Sequence, residues 1–184
     1  MSSRPAFSPV DVRDKSLRWQ NASDVSWPNP VTREWLCGEG SLTRLLKLAS
    51  EDEFKVRVMD ERRLQIDNEQ LRSEFGPVAA DHQFWSRQVV LYGRDEPWVV
   101  AHTLLPEHSE LSDLRQVHSL GDKPLGEFLF NHSELQRSHL HFTQLDIDAL
   151  GGGWGRKSLF FLFAKPILVA EFFLPSVLKL PVPH

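Results

Sequence analysis

Glu171 is the side chain in this sequence that most demands a chemical explanation. It lies in Lys165-Pro166-Ile167-Leu168-Val169-Ala170-Glu171-Phe172-Phe173-Leu174-Pro175. That run is short, β-prone and bounded by prolines, so it reads as a buried strand. Strand alternation groups Glu171 with Ile167, Val169 and Phe173, and leaves Leu168, Ala170, Phe172 and Leu174 on the other face. Both faces are apolar, so the carboxylate is expected to be buried whichever face meets the core. An unpaired buried ion costs roughly several kcal/mol. Glu171 is therefore half of an ion pair or part of a ligand site. A cationic counterpart is Arg87, which shares a strand face with Trp85, Val89 and Leu91 and so points inward. Its guanidinium is a planar fork suited to a carboxylate. A direct Arg87–Glu171 structural pair and a ligand site containing both remain open on this pattern.

A third feature is Gly151-Gly152-Gly153-Trp154-Gly155-Arg156-Lys157-Ser158. Glycines permit positive φ and close backbone approach. The stretch resembles a phosphate loop but fails its test, because Arg156 intervenes where Gly-Lys-[Ser/Thr] is required. A tight turn presenting Arg156 is the better reading. His139 and His141 could share a strand face and bind a metal, but no third ligand is evident, so no metal site is expected. His102 reads as a satisfied core or rim histidine, and Cys37 as a small buried hydrophobe. No Gly-x-Ser-x-Gly elbow occurs.

The elements that must position these groups follow from pattern and punctuation. Phe84 to Tyr92 and Trp98 to Leu105 alternate as strands, and Gly93-Arg94-Asp95-Glu96-Pro97 joins them as a hairpin. Ser158 to Phe163 and Ile167 to Leu174 form a second hairpin. Phe54 to Met59 is a half-buried strand and His139 to Leu145 another. A short helix is expected around Arg33 to Cys37. A second, capped by Ser41, has Leu42, Leu45, Leu46 and Ala49 on one apolar face. Leu111 to Leu120 and Leu125 to Phe130 also suit helices. Residues 60 to 80 mix charges with few apolar anchors and read as turns with a short helix. Strands in hairpins and helices in separate blocks predict an α+β fold, an antiparallel sheet with helices covering part of it.

The 184 residues suit one domain, with residues 1–30 a loosely structured N-terminal segment and 31–184 the folded unit. The composition is globular, with 41% hydrophobic and 25% charged residues. A net charge of -4 argues against a nucleic-acid partner. The single cysteine forbids an intrachain disulfide. The N-terminus lacks the apolar core of a signal peptide, and the C-terminal apolar run is interrupted by Lys165, Pro166 and Glu171, so neither export nor a membrane span is expected. A cytoplasmic monomer is the expectation.

The segments, in order, resemble the chorismate pyruvate-lyase family, whose activity supplies 4-hydroxybenzoate for ubiquinone synthesis. The resemblance rests on Glu96-Pro97-Trp98 with His102-Thr103 and Pro106, on Leu120-Gly121 with Pro124-Leu125-Gly126 and Leu129-Phe130, on Trp154-Gly155-Arg156-Lys157-Ser158, and on Lys165-Pro166 through Glu171 to Phe173-Leu174-Pro175. It covers roughly residues 30 to 175 and implies an antiparallel sheet with helices on one side and a buried ligand cavity. It implies that Arg87 holds the ring carboxylate, that Glu171 contacts the ring hydroxyl, and that Leu125 offers a backbone contact. Leu42 falls where the family often has methionine in a flap helix, a change that nearly conserves volume. Arg156 matches the basic residue of the Trp-Gly-Arg motif. It is a candidate for the side-chain carboxylate or the leaving oxygen, with Lys157 in reserve.

The resemblance implies chorismate as substrate, 4-hydroxybenzoate and pyruvate as products, and no cofactor or metal, because aromatisation drives the reaction. A non-catalytic domain of the same fold, sensing a small aromatic carboxylate, is the alternative. A transcription regulator of that kind would also need a DNA-binding module, for which this chain shows no spare domain or basic helix-turn-helix.

Overall fold

The two expected hairpins form the centre of the molecule. In the computed structural model, which describes residues 10–107, 115–146 and 151–184, β3 (Phe84–Gly93) runs into β4 (Glu96–Pro106). The turn residues Arg94 and Asp95 have φ of 51° and 62°, as a two-residue turn matching the strand twist requires. Gly93 is needed there by contact, since a Cβ would come within 2.3 Å of the Trp98 ring. The second hairpin joins β7 (Trp154–Leu162) to β8 (Lys165–Phe173) through Phe163 and Ala164, again both at positive φ.

The remaining strands are β1 (Gln20–Asn21), β2 (Phe54–Leu64), β5 (Gln136–Arg137) and β6 (His141–Gln144). Among the described residues they complete an eight-stranded antiparallel sheet of order β1-β6-β7-β8-β4-β3-β2, with β5 also on β7. The two hairpins meet at the β4–β8 pair, where Ala101 stands opposite Glu171.

Helices α1 (Pro30–Cys37), α2 (Leu42–Ala49), α4 (Arg115–His118), α5 (Leu125–Phe130) and α6 (Pro175–Leu178) pack on one face. Pro30 fits the first turn of α1, and the Asn29 side chain accepts from Thr32 N at 2.8 Å. Ser41 caps α2 as expected, accepting from Arg44 N. Trp35, Leu36, Leu42 and Leu46 meet Val89, Leu91, Val99 and Phe173 in one apolar cluster. Burying such side chains is worth about 1.5–3 kcal/mol each. The opposite face is covered by α3 (Glu69–Ser73) and by Val10, Val12, Leu17 and Trp19. The fold is the α+β antiparallel architecture that the hairpins predict.

Several boundaries differ from expectation. The strand expected to end near Met59 continues to Leu64, because β2 pairs with β3 along its whole length after a register shift between Val58 and Asp60. Backbone pairing there outweighs the charged side chains, which stay exposed at Glu61, Arg62 and Arg63. Helix α1 starts at Pro30, three residues earlier than its apolar pattern suggests. His139 precedes β6 instead of lying in it. Of the helix expected over Leu111 to Leu120, residues 111–114 lie outside the described residues. The segment expected to be loose contains, over residues 10–29, only β1 and one 3-10 turn at Ala22–Asp24. Val12 is nevertheless buried, and its N–H donates to the His102 ring at 3.1 Å. Residues 1–9 lie outside the described residues.

Candidate active site

Two rungs of the sheet, two residues apart and so on the same face, carry the candidate residues. Glu61, Arg87 and Thr103 stand opposite one another across β2, β3 and β4, and the rung continues through Val169 and Ser158. The other rung holds Val89, Ala101, Glu171, Arg156 and Phe142. Arg87 and Glu171 are thus two strands and two residues of register apart. Strand spacing and rise put their Cα atoms roughly 12 Å from each other. Their side chains project from the same face toward the helices.

Between them lies a small pocket, with a cavity volume of about 50 Å³. Leu42, Arg87, Leu125, Arg156 and Glu171 all line it. Thr43, Val89, Leu91, Leu129, Phe160 and Val169 give it a largely apolar wall. The pocket is roofed by the starts of α2 and α5. A Cβ on Gly126 would approach Thr43 Oγ1 to 2.7 Å, so glycine allows these helices to close together. A Lys47–Glu127 ion pair ties them at the surface. A second, wider cavity shares Phe130, Arg137 and Phe160 with the first.

Arg87 is 2% exposed and its fork is fixed by the chain. Nη1 donates to Glu61 Oε1 at 2.6 Å, and Nη2 donates to the carbonyls of Gly121 and Lys123 at 2.8 and 3.1 Å. Nε has no acceptor among the described residues. The partner of Glu171 is Arg156, whose Nε donates to Oε2 at 2.5 Å. The direct Arg87–Glu171 pair left open by the sequence is therefore not formed; each residue has a different counterion. Cross-strand register explains this, since Arg156 lies directly opposite Glu171 and Glu61 directly opposite Arg87.

Arg156 is 2% exposed, and its Nη1 donates to the carbonyls of Leu36 and Gly38 at 3.1 and 2.8 Å, with Trp35 O at 3.4 Å. It closes the C-terminal end of α1, where carbonyls lack intrahelical partners. The glycine stretch acts as a turn that delivers this arginine. Gly151, Gly152 and Gly153 have φ of 76°, 92° and 127°. A Cβ on Gly153 would strike Phe173 O at 2.4 Å. Lys157, the reserve for Arg156, is corrected by alternation. It points to the opposite face, pairs with Glu74 and lies 4.9 Å from the Trp19 ring centroid. His102 is also on that face, fully buried, with Nε2 2.8 Å from Ser86 Oγ. Burial pushes its imidazole down to about 4.

Two members of the pocket region escape sequence reasoning. Glu61 was hidden by the register shift in β2, which breaks the alternation that would have revealed it. Arg137 sits on the two-residue strand β5, too short to show any period. It is 4.7 Å above the Phe160 ring, and its Nε donates to Ser158 Oγ at 2.8 Å. Nη2 is 3.9 Å from Glu171 Oε2. Burial pushes its guanidinium down to about 10, and the Arg156 guanidinium acts in the same direction. It remains a cation at neutral pH. Three guanidinium groups thus face two carboxylates, which suits an anionic ligand. Among the described residues no three His, Cys, Asp or Glu side chains gather as a metal would need. No helix among them is long and apolar enough to cross a membrane.

Known proteins supply the remaining comparison. The family described as chorismate lyase matches residues 14–180. The chorismate pyruvate-lyase of Sodalis glossinidius is 36% identical over 161 residues, covering 87% of this chain and 86% of that protein. The chorismate pyruvate-lyase of Photorhabdus laumondii is 33% identical over 160 residues, covering 87% and 90%. Among solved structures, the ligand-binding domain of a putative GntR-family transcriptional regulator from Bordetella bronchiseptica aligns with a TM-score of 0.48 and 13% identity, over 76% of this chain and 86% of that one.

Proposed function

The chain belongs to the chorismate lyase family, and on that premise we propose that it converts chorismate to 4-hydroxybenzoate and pyruvate. The observation that carries this reading is one pocket lined by Leu42, Arg87, Leu125, Arg156 and Glu171, with Arg87 at one end of an apolar floor and the Arg156–Glu171 pair at the other. An aromatic acid with a para hydroxyl has the matching polarity: a carboxylate at one end, an apolar ring, and a hydroxyl donor at the other.

In the reaction the ether C–O bond to the enolpyruvyl group breaks. The hydrogen on the hydroxyl-bearing ring carbon leaves as a proton, and its electron pair completes the aromatic ring. The proton ends on the enolpyruvate methylene, which becomes the methyl group of pyruvate. Aromatisation supplies the driving force, so the protein's task is orientation and charge stabilisation.

Arg87 takes the ring carboxylate through Nε–H, the donor that Glu61 and the two carbonyls leave open. Those partners fix the fork before the ligand arrives, which lowers the ordering cost of binding. Leu125 lies in the first turn of α5, where backbone N–H groups lack intrahelical acceptors. Its amide gives the ring carboxylate a second donor. Glu171 accepts the hydrogen bond of the ring hydroxyl. Arg156 orients Glu171 as an acceptor for that hydroxyl, and the ring proton passes within the substrate itself. Arg156 holds Glu171 in place and keeps Nη2 for the leaving oxygen. Leu42 packs over the ring from the roof formed by α2. Work as a cytoplasmic monomer at the entry to ubiquinone synthesis completes the proposal.

The test is to incubate the protein with chorismate and follow 4-hydroxybenzoate absorbance together with pyruvate release. Both products should appear in equal amounts. Tight binding of 4-hydroxybenzoate without turnover of chorismate would point to a sensing domain and overturn the lyase reading.

A further inference from the structure

Chorismate carries two carboxylates, and the residues named so far account for the one on the ring. The second belongs to the enolpyruvyl group, attached next to the hydroxyl-bearing carbon. With Glu171 on the hydroxyl, that second carboxylate falls near Glu171, and the cations beside Glu171 lie on the β7 side of the pocket. Two guanidinium groups stand there, Arg156 and Arg137. They differ in how far the chain has used them.

Arg156 is committed. Its Nε is on Glu171 at 2.5 Å, and its Nη1 is on the carbonyls that end α1. Only Nη2 remains to it, and turning the group to offer a second carboxylate two donors would break the contact that fixes Glu171 and uncap a helix end. Arg137 is much less engaged. Its only short contact among the described residues is from Nε to Ser158 Oγ, at 2.8 Å. Nη1 reaches Glu39 O at 3.4 Å, and Nη2 is 3.9 Å from Glu171 Oε2, beyond hydrogen-bond distance. The ring of Phe160 supports the plane of the guanidinium from below. A planar fork with open donors beside an apolar pocket is what bidentate carboxylate recognition requires. Its 15% side-chain exposure leaves it reachable from the pocket while limiting competition from water.

We propose that Arg137 binds the enolpyruvyl carboxylate of the substrate and is the residue that distinguishes chorismate from its aromatic product. This inference rests on the lyase reading above. It divides the labour of the cationic side between two arginines: Arg156 positions Glu171 and faces the leaving oxygen, and Arg137 holds the leaving group by its acid. The product 4-hydroxybenzoate lacks that acid, so Arg137 contributes to substrate binding and to orientation of the ether without tightening the product.

The experiment compares Arg137→Met and Arg137→Lys with the wild-type chain, using chorismate turnover and equilibrium binding of 4-hydroxybenzoate. Expected for R137M is a loss in kcat/KM on the order of a hundredfold, with 4-hydroxybenzoate affinity within threefold of wild type. R137K should recover at least tenfold of the loss, because it restores the charge but not the fork. A chorismate analogue amidated on the enolpyruvyl carboxylate supplies the cross-check: wild type should discriminate against it, and R137M should lose most of that discrimination. If R137M is too unstable to purify, Arg137→Gln carries the same comparison. Equal losses of chorismate turnover and 4-hydroxybenzoate affinity would show that Arg137 only shapes the pocket, and the proposal would fall. Undiminished discrimination against the amide in the variant would overturn it as well. Failure of the wild type itself to release pyruvate from chorismate is a separate outcome, and it removes the lyase reading on which this inference stands.

Discussion

On the pocket face of the central strands the buried polar groups are Arg87, Thr103, Arg156 and Ser158, with Glu171 nearly buried beside them. On the opposite face they include Ser86, His102 and Lys157. The second set lies in three of the four strands that carry the first, one residue out of phase. The opposite face even offers the outline of a catalytic triad, with Ser86 Oγ at 2.8 Å from His102 Nε2 and Asp11 Oδ1 at 3.4 Å from Nδ1. The outline fails on the tautomer. His102 Nδ1 accepts from Val12 N, so the ring proton sits on Nε2 and faces the serine. A histidine that donates to a serine cannot take its proton. There the ring serves to fasten residues 10–19 onto the sheet, and Lys157 is likewise closed by Glu74. On the pocket face the balance is different, because guanidinium groups outnumber carboxylates and donor atoms remain around an apolar void. Burial of polar groups therefore does not separate a site from a core; unused donors beside a cavity do.

That contrast can be broken experimentally, and the strongest attempt is at Arg87. Arg87→Ala should lower kcat/KM for chorismate by about 10³-fold or more, since it removes a charge-assisted contact to the ring carboxylate. The protein should stay folded, because Glu61 is 28% exposed and can turn to water. Steady-state turnover together with a thermal melt checks both halves. Near-normal turnover would move Arg87 to the structural side of the comparison. Next comes Glu171→Gln, which keeps shape and an acceptor but removes the charge. A fall in kcat on the order of 10²-fold is expected, together with a lower Tm as Arg156 loses its counterion. Full activity in that variant would show that the anion has no part in the reaction.

The smallest effect on turnover is expected on the opposite face, where the readout is stability against pH. In the folded chain burial holds the His102 imidazole at about 4, whereas an unfolded histidine titrates near ~6.5. Between those values the unfolded state binds the extra proton, so stability is lost as pH falls from about 6.5 toward 4. The loss attributable to His102 is on the order of 3 kcal/mol. Urea unfolding of the wild type and of His102→Gln across that window should show a flatter pH slope in the variant. Identical slopes would mean that His102 is not a buried neutral group. Turnover at pH 7 should change no more than about threefold, a small effect next to either pocket substitution.

Much of this arrangement was legible in the sequence because it is local. Period-2 alternation and the turn between Gly93 and Pro97 located the first hairpin, and prolines bounded the strand of Glu171. Inward-facing Arg87 and Glu171 follow from strand phase alone, since each side chain's face is set by its neighbours two residues away. Ser41 announced α2 through its own capping hydroxyl. The ordered motifs, read as a resemblance, carried the family and the pocket residues Leu42, Leu125 and Arg156.

What the sequence could not determine is who meets whom. Pairing depends on register between strands far apart in the chain, and a shift of one residue reverses every face. The bulge between Val58 and Asp60 therefore concealed Glu61 as the partner of Arg87. The opposition of Arg156 and Glu171 came from the β7–β8 register, which also sent Lys157 to the far side. Arg137, on a strand of two residues, had no periodicity to betray it. The sequence by itself determined the central strands, the hairpins and the inward-facing Arg87 and Glu171. Only the tertiary structure decided which arginine is committed to Glu171 and which keeps donors open to the pocket, because that depends on contacts between segments the chain brings together only when folded.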